Sequence, residues 1–153
     1  MAAVLAPCLD FAPMRRADVD AVVAAEQRIY EFPWTRGNFT DSLDAGHGAW
    51  LAREDGRMVG YAVTMLALDE VHLLNIGIVP ERRRSGLGSA LLKWLCDTAR
   101  PQGAARMFLE VRRSNVAGRA FYANRGFIAI GERRGYYPAP GGREDAIVMA
   151  YDL

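Results

Sequence analysis

The sequence predicts a mixed α/β fold, in which a mixed β-sheet carries helices on both faces. Helical and extended patterns alternate along the chain, and the segment spanning residues 71–111 has the pattern strand, helix, strand. A helical crossover joins parallel strands. The segment Glu54-Asp55-Gly56-Arg57 instead predicts a hairpin between antiparallel strands, because Asp-Gly tolerates positive φ. The predicted element order is βααβββαβαββ.

The first third of the chain predicts one strand and two helices. A short strand is expected at 11–14, and Asp18 is expected to cap a helix that carries Val19, Val22, Val23 and Glu26. Pro33 disfavours helical backbone before it, so the chain should break there. Thr35 can then cap a second helix through Leu43.

The remaining elements follow from apolar runs and turn residues. A long polar loop is expected at 135–145. Strands are expected at 49–53, 58–68, 71–79, 107–111, 127–130 and 146–151, and helices at 86–99 and from Ser114 or Asn115 to Asn124. Gly126 fits the C-terminal cap of the second of these helices.

Length and composition indicate one soluble domain spanning residues 1–153. The net charge of +1 argues against stable nucleic-acid binding, and no apolar run is long enough to span a membrane. The two cysteines resemble reduced thiols, which predicts a cytoplasmic protein. No cluster has the spacing of metal ligands, and no oligomeric state is indicated.

The stretch from Ile76 to Ala99 predicts an anion-binding turn. A strand ends at Pro80, three arginines follow, and Gly86 and Gly88 open a helix. The amides at a helix start lack partners within the helix, and glycine allows close approach of the backbone. A pyrophosphate fits such a turn. Leu91 stands where a dinucleotide-binding G-x-G-x-x-G motif needs glycine, and no phosphate loop is present.

Three side chains can carry chemistry. Glu110 lies in a strand that is otherwise apolar, so it is either the partner of a structural salt bridge or a general base whose pKa is raised by burial. Tyr122, on the following helix, is either a core aromatic residue or a general acid. Asn115 is either a helix cap or a cap that also contacts a cofactor, and His72 is expected to be structural.

These motifs resemble a known family. Arg83-Arg84-Ser85-Gly86-Leu87-Gly88 is similar to the signature of the GNAT superfamily of acetyl-CoA-dependent N-acetyltransferases. Further motifs resemble the bacterial ribosomal-protein-alanine N-acetyltransferases (RimI-like) over roughly residues 11–150: Phe32-Pro33-Trp34, Leu109-Glu110-Val111-Arg112, Tyr136-Tyr137-Pro138 and Gly142-Arg143-Glu144-Asp145.

The resemblance implies the GNAT fold, a mostly antiparallel mixed sheet with a central parallel strand pair, and acetyl-CoA as co-substrate. It implies that Glu110 is the base and Tyr122 the acid of a direct transfer without metal. The implied cofactor contacts are Ile76, Gly77 and Ile78 for the pantetheine arm, Arg84, Ser85, Gly86, Leu87, Gly88 and Ser89 for the pyrophosphate, and Asn115.

The resemblance also implies a substrate, the N-terminal alanine of small-subunit ribosomal protein eighteen. Acetylation of a small-molecule amine or of lysine side chains, and a silent acyl-CoA-binding module, are the alternatives. Val79 and Gly135 depart from the family pattern and leave the peptide preference open. Candidate substrate contacts are Trp34, Tyr136, Tyr137, Glu144 and Asp145. The acidic members either favour a cationic peptide or pair internally with Arg133, Arg134 or Arg143.

Overall fold

The structure, a computed structural model, describes residues 8–153, and within them the chain forms seven strands and four α-helices. The strands are β1 (Leu9–Pro13), β2 (Gly48–Glu54), β3 (Arg57–Ala67), β4 (Glu70–Ile78), β5 (Arg106–Arg112), β6 (Ile128–Ala139) and β7 (Gly142–Asp152). The helices are α1 (Val19–Ile29), α2 (Arg36–Asp44), α3 (Leu87–Ala99) and α4 (Val116–Ala123).

The strands form one sheet in the order β1-β2-β3-β4-β5-β7-β6. Strands β4 and β5 are parallel, with Glu70–Leu73 of β4 opposite Arg106–Leu109 of β5. Strand β7 is antiparallel both to β5 and to β6, and β1 is antiparallel to β2. The prediction of a mostly antiparallel mixed sheet with a central parallel pair is therefore confirmed, as is the helical crossover between β4 and β5.

Turn and cap residues explain several element boundaries. Asp55 and Gly56 have φ values of 52° and 80°, as the predicted hairpin requires. The Thr35 hydroxyl accepts a hydrogen bond from the Asn38 amide, and the Asn38 side chain accepts one from the Thr35 amide, so Thr35 caps α2 as predicted. Asp18 precedes α1, but its carboxylate accepts the Arg15 amide and makes no cap to the helix.

The predicted polar loop at 135–145 is wrong, because this segment is the end of a β-hairpin. Strand β6 continues to Ala139, and only Pro140 and Gly141 connect it to β7. Gly135 has a φ of 59°, and the pairing register shifts between Arg133 and Tyr137. Such a bulge places glycine inside a strand, and an edge strand such as β6 tolerates proline. The glycine and proline that predicted a loop are thus accommodated within β6.

The contacts divide the chain into two compact units, which are described separately. The first unit contains residues 8–63 and Asn75–Leu91, and the second contains Thr64–Leu74 and Leu92–Leu153. The assignment of one domain to the whole chain stays a prediction. No helix in residues 8–153 is long and apolar enough to cross a membrane.

The core of the first unit surrounds a buried carboxylate. Glu26 on α1 is only 2% exposed. It accepts three hydrogen bonds: from the Tyr61 hydroxyl at 2.6 Å, from the Asn75 side-chain amide at 3.1 Å and from the Trp34 backbone amide at 2.9 Å. These donors lie on β3, on β4 and in the segment before α2. The carboxylate therefore connects four segments of the first unit.

The core of the second unit combines strand side chains with aromatic packing. Met107, Leu109 and Val111 are the buried positions of β5, as period-two alternation requires. Phe127 is buried, and its ring centroid lies 5.6 Å from that of Tyr122 and 5.3 Å from that of Tyr151. Helix α4 is therefore anchored to the sheet through one aromatic cluster.

The hydrogen bonds of Glu26 predict a measurable loss of stability in Glu26→Gln. Glutamine has one acceptor oxygen where glutamate has two. If the three donors keep their positions, at least one of them therefore faces the NH2 group of the glutamine side chain. We expect urea denaturation to show a loss of about 1–3 kcal/mol in the free energy of unfolding. Glu132→Gln is the matched control, because it removes an exposed carboxylate that pairs with Arg113, and it should cost less than about 1 kcal/mol. Equal stability of Glu26→Gln and the wild-type protein would contradict the role of the network.

Candidate active site

The turn between β4 and α3 has the backbone shape predicted for an anion site. Arg84 and Gly86 have φ values of 60° and 81°, and α3 begins at Leu87. The Ser85 hydroxyl donates to the Arg82 carbonyl at 2.5 Å, which holds the turn together. The helix start therefore follows two left-handed residues, and the first amides of a helix are directed away from its body.

The arginines of this turn have different environments. Arg82 pairs with Glu54 at 2.6 Å, so its charge is balanced within the first unit. Arg83 and Arg84 are exposed and take part in no ion pair within residues 8–153. Two uncompensated cations beside a helix start suit the phosphates of a nucleotide cofactor.

The end of β4 carries the residues predicted to contact the pantetheine arm. The Tyr30 hydroxyl donates to the Ile76 carbonyl. A Cβ atom at Gly77 would lie 2.4 Å from the Tyr61 ring and its hydroxyl, so only glycine fits there. Ile78 is partly exposed. The packing of Gly77 against Tyr61 is a structural role that the sequence analysis did not predict.

Glu110 on β5 lies in a charged cluster of the second unit. Its side chain is 5% exposed. One carboxylate oxygen is 2.5 Å from Nε2 of His72, and the other accepts a hydrogen bond from Nε of Arg133 at 3.0 Å. The prediction of a salt-bridge partner is confirmed. Whether Glu110 is also a base is not decided by this pairing.

The predicted rise in the pKa of Glu110 is wrong. Burial alone would raise it, but the hydrogen bond from His72, together with the charge and hydrogen bond of Arg133, lowers the pKa of Glu110 below its usual value. Glu110 is therefore ionised at neutral pH. The prediction failed because it considered burial of the strand position without the partners that other strands supply.

Three tyrosines of the second unit have raised pKa values. Burial raises the pKa of Tyr122 to about 12, so this phenol is protonated at neutral pH. Burial also raises the pKa values of Tyr136 and Tyr137, and the negative charge of Glu110 adds to both shifts. Tyr122 contributes to the shift of Tyr137. Arg133 connects two of these groups, because its guanidinium lies 5.9 Å from the ring centroid of Tyr136 and its Nε donates to Glu110.

Asn115 caps α4, as predicted. Its side-chain oxygen accepts a hydrogen bond from the Gly118 amide at 2.9 Å. A Cβ atom at Gly118 would lie 2.5 Å from the Asn115 side chain, so glycine at this position makes room for the cap. The predicted cofactor contact of Asn115 stays a prediction.

The acidic residues of the β6–β7 hairpin have internal partners. Glu144 pairs with Arg112 at 3.1 Å and accepts the Ser114 amide at 2.7 Å. Asp145 accepts the Gly135 amide at 2.8 Å. The partners of Glu144 differ from the arginines expected from the sequence. Both carboxylates therefore have structural roles, and the predicted substrate contacts of Glu144, Asp145, Tyr136 and Tyr137 stay predictions.

Trp34 lies in the first unit. Its ring packs on Phe39 with centroids 5.1 Å apart, and its backbone amide donates to Glu26. The structure therefore gives Trp34 a packing role, and its predicted contact with substrate stays a prediction.

Sequence reasoning expected His72 to be structural, but it did not predict that His72 and Arg133 pair with Glu110 or that Glu26 is a buried acceptor. Glu26 could have been noticed, because it interrupts the apolar stripe of α1 seven residues after Val19. The pairing of His72 and Arg133 with Glu110 has no signal in the local sequence, since it depends on strand order. No group of three or more His, Cys, Asp or Glu side chains that could hold a metal ion occurs within residues 8–153.

Comparison with known proteins identifies the family. The model described as the acetyltransferase (GNAT) family matches residues 19–127. The chain is 40% identical over 140 residues to the ribosomal protein bS18-alanine N-acetyltransferase of Escherichia coli (strain K12), covering 92% of this chain and 95% of that protein. It is 35% identical to the Haemophilus influenzae protein of the same name, covering 87% of this chain and 91% of that protein.

Solved structures agree with these relatives. The crystal structure of the ribosomal-protein-S18-alanine N-acetyltransferase from Escherichia coli matches with a TM-score of 0.88 and 38% identity, covering 95% of this chain and 94% of that chain. The resemblance seen in the sequence is therefore confirmed. The chain belongs to the GNAT family of acetyltransferases and, within it, to the acyltransferases of the ribosomal protein bS18-alanine N-acetyltransferase family.

Proposed function

We propose that this protein transfers an acetyl group from acetyl-CoA to the N-terminal α-amine of ribosomal protein bS18, which begins with alanine. The observation that carries the proposal is the similarity to the bS18-alanine enzymes along nearly the whole chain. It is supported by a helix start suited to phosphates, by the ionised carboxylate of Glu110 and by the protonated phenol of Tyr122. A cytoplasmic location fits a ribosomal substrate and stays a prediction.

The turn at 84–89 and the end of β4 are the proposed binding elements for acetyl-CoA. Arg84, Ser85, Gly86, Leu87, Gly88 and Ser89 would hold the pyrophosphate, and Ile76, Gly77 and Ile78 would contact the pantetheine arm. The two left-handed residues and the exposed charges of Arg83 and Arg84 fit a polyphosphate. When bound, acetyl-CoA supplies an activated thioester.

Tyr122 is the proposed acid, and the group that takes up the proton of the ammonium is proposed to lie in the charged cluster of Glu110. An α-ammonium group must lose a proton before its nitrogen can attack, and the charge of Glu110 adds to the raised pKa values of Tyr136 and Tyr137. Tyr122 is protonated at neutral pH, as an acid that protonates the departing sulfur must be. Tyr136 and Tyr137, whose ring centroids are 4.8 Å apart, offer an aromatic surface for the acceptor peptide.

The substrate proposal is tested by incubating the wild-type protein with acetyl-CoA and a peptide panel. The panel contains the bS18 N-terminal sequence, the same peptide with a blocked α-amine and one internal lysine, and a set of small polyamines. Mass spectrometry should find one acetyl group on the alanine α-amine. Acetylation only of lysine side chains, or only of polyamines, would overturn the proposal and favour the corresponding alternative.

The exposed charge of Arg84 predicts a specific loss of acetyl-CoA affinity. Arg84→Gln removes one cation from the proposed phosphate site without burying a new group. We expect calorimetry to show a Kd raised about tenfold, equivalent to roughly 1.4 kcal/mol, with a smaller difference at high salt. Arg57→Gln is the matched control, since Arg57 is also an exposed arginine of the first unit. Unchanged affinity in Arg84→Gln, or an equal loss in the control, would remove Arg84 from the site.

Tyr122→Phe tests the proposed acid while leaving the aromatic packing in place. We expect turnover to fall about 10²-fold or more, as is typical for loss of a general acid, with unchanged affinity for acetyl-CoA. Tyr151→Phe is the matched control, because both rings pack against Phe127. Wild-type turnover in Tyr122→Phe would exclude the phenol as the acid.

A further inference from the structure

The charged cluster around Glu110 raises the question of which group accepts the ammonium proton. One oxygen of the Glu110 carboxylate faces Nε2 of His72 at 2.5 Å, and the other faces Nε of Arg133 at 3.0 Å. With a side chain only 5% exposed, Glu110 has a cationic or hydrogen-bond-donating partner on each oxygen. Such partners stabilise the ionised carboxylate and make it a weaker base.

A proton transfer from an amine to such a carboxylate is unfavourable. A terminal α-ammonium group ordinarily titrates near pH 8 and an unperturbed glutamate near pH 4.3, so the transfer is disfavoured by more than about 10³-fold before any lowering is counted. An imidazole ordinarily titrates near pH 6.5, which is much closer to the amine. On chemical grounds, an imidazole within the cluster is the better acceptor.

The geometry orients the imidazole of His72 for this role. The ring stacks on Phe108, its partner in the parallel strand pair, with centroids 4.2 Å apart and planes inclined by 20°. Its Nε2 is directed at the Glu110 carboxylate, so Nδ1 is the nitrogen that remains to take up a proton. A carboxylate that binds one imidazole nitrogen fixes the tautomer and stabilises the imidazolium that forms when the other nitrogen is protonated.

We propose that His72 accepts the proton of the substrate ammonium and that Glu110 orients His72 and stabilises its charged form. This inference rests on the proposed function. The N–H bond of the ammonium breaks with its electron pair left on nitrogen, and the proton bonds to Nδ1 of His72, directly or through a water molecule.

The remaining bonds and protons balance. The freed electron pair forms the bond to the acetyl carbon, the carbon–sulfur bond breaks with its pair on sulfur, and sulfur takes the phenolic proton of Tyr122. The second proton that the nitrogen loses restores Tyr122 through solvent. His72 releases its proton to solvent, so each turnover releases one proton.

The charged and titratable groups near His72 come from three strands of the second unit. Arg133 opposes formation of the imidazolium, whereas Glu110 favours it, and Glu110 is the closer of the two in the hydrogen-bond chain. Among the described residues these groups are Glu110 on β5 and, beyond it, Arg133, Tyr136 and Tyr137 on β6, which interact with Glu110. The pair Glu70–Arg106 lies two residues before His72 and Phe108 on β4 and β5.

Two variants separate the roles, and both are assayed from pH 5.5 to 9 with the alanine peptide. His72→Gln keeps an N–H donor for Glu110 but cannot take up a proton. We expect its kcat to fall about 10²-fold or more, with unchanged Kd for acetyl-CoA. The acid limb of the pH profile, which is the fall in kcat at low pH caused by protonation of an enzyme group, should disappear. In Glu110→Gln the limb should persist but move to lower pH, because the imidazolium has lost its anionic partner. The limb due to the substrate amine is common to all variants.

If Glu110 were itself the acceptor, the pattern would reverse. Glu110→Gln would abolish the limb, and His72→Gln, which keeps a donor for the carboxylate, would retain it. Either of those results overturns the inference. The inference is also overturned if His72→Gln has the kcat of the wild-type protein and an unchanged acid limb. His47→Gln, which changes the chain's only other histidine, should match the wild-type protein. If His72→Gln fails to fold, the direction of the Glu110→Gln shift decides alone. Absence of any transfer by the wild-type protein overturns the proposed function and this inference together.

Discussion

The carboxylate of Glu26 is the interaction on which the first unit depends. Burying a carboxyl group is costly unless hydrogen bonds replace its water, and Glu26 receives three of them. The donors determine where their segments lie: Tyr61 positions β3, Asn75 positions β4, and the amide of Trp34 positions the chain before α2. Tyr61 in turn leaves no room for a side chain at position 77. One polar group in the core therefore shapes the strand end that is proposed to meet the cofactor.

In the second unit, the carboxylates are held by cationic side chains as well as by hydrogen-bond donors. Glu110 is held between His72 and Arg133, and Glu144 is held by Arg112 and the Ser114 amide. In both cases the partner comes from a different strand, so the pairs fix the relation of β4, β5 and the β6–β7 hairpin. The same pairing that stabilises the sheet also lowers the basicity of Glu110. Structural stability and proton chemistry are thus set by one group of contacts.

Motifs with a local physical cause were predictable. The Asp-Gly hairpin, the Thr35 cap, the Asn115 cap and the glycine turn before α3 each depend on residues within four positions of one another. The loop expected at 135–145 was wrong because Gly135 and Pro138 were judged by local preference. Their place in an edge strand, with a bulge at the glycine, depends on pairing with β7.

The sequence by itself determined the order of the elements, the parallel β4–β5 pair, the cationic glycine turn and the family. These follow from periodicity, turn chemistry and contiguous motifs, which are all written in neighbouring residues. Only the tertiary structure decided that Glu26 is buried with three donors, that His72 and Arg133 share Glu110, that Glu144 joins the hairpin to Arg112 and Ser114, and that Asp145 accepts the Gly135 amide. A pKa and a hydrogen-bond partner depend on distances of a few ångströms between residues tens of positions apart. Strand order and side-chain packing set those distances, and no local pattern contains them.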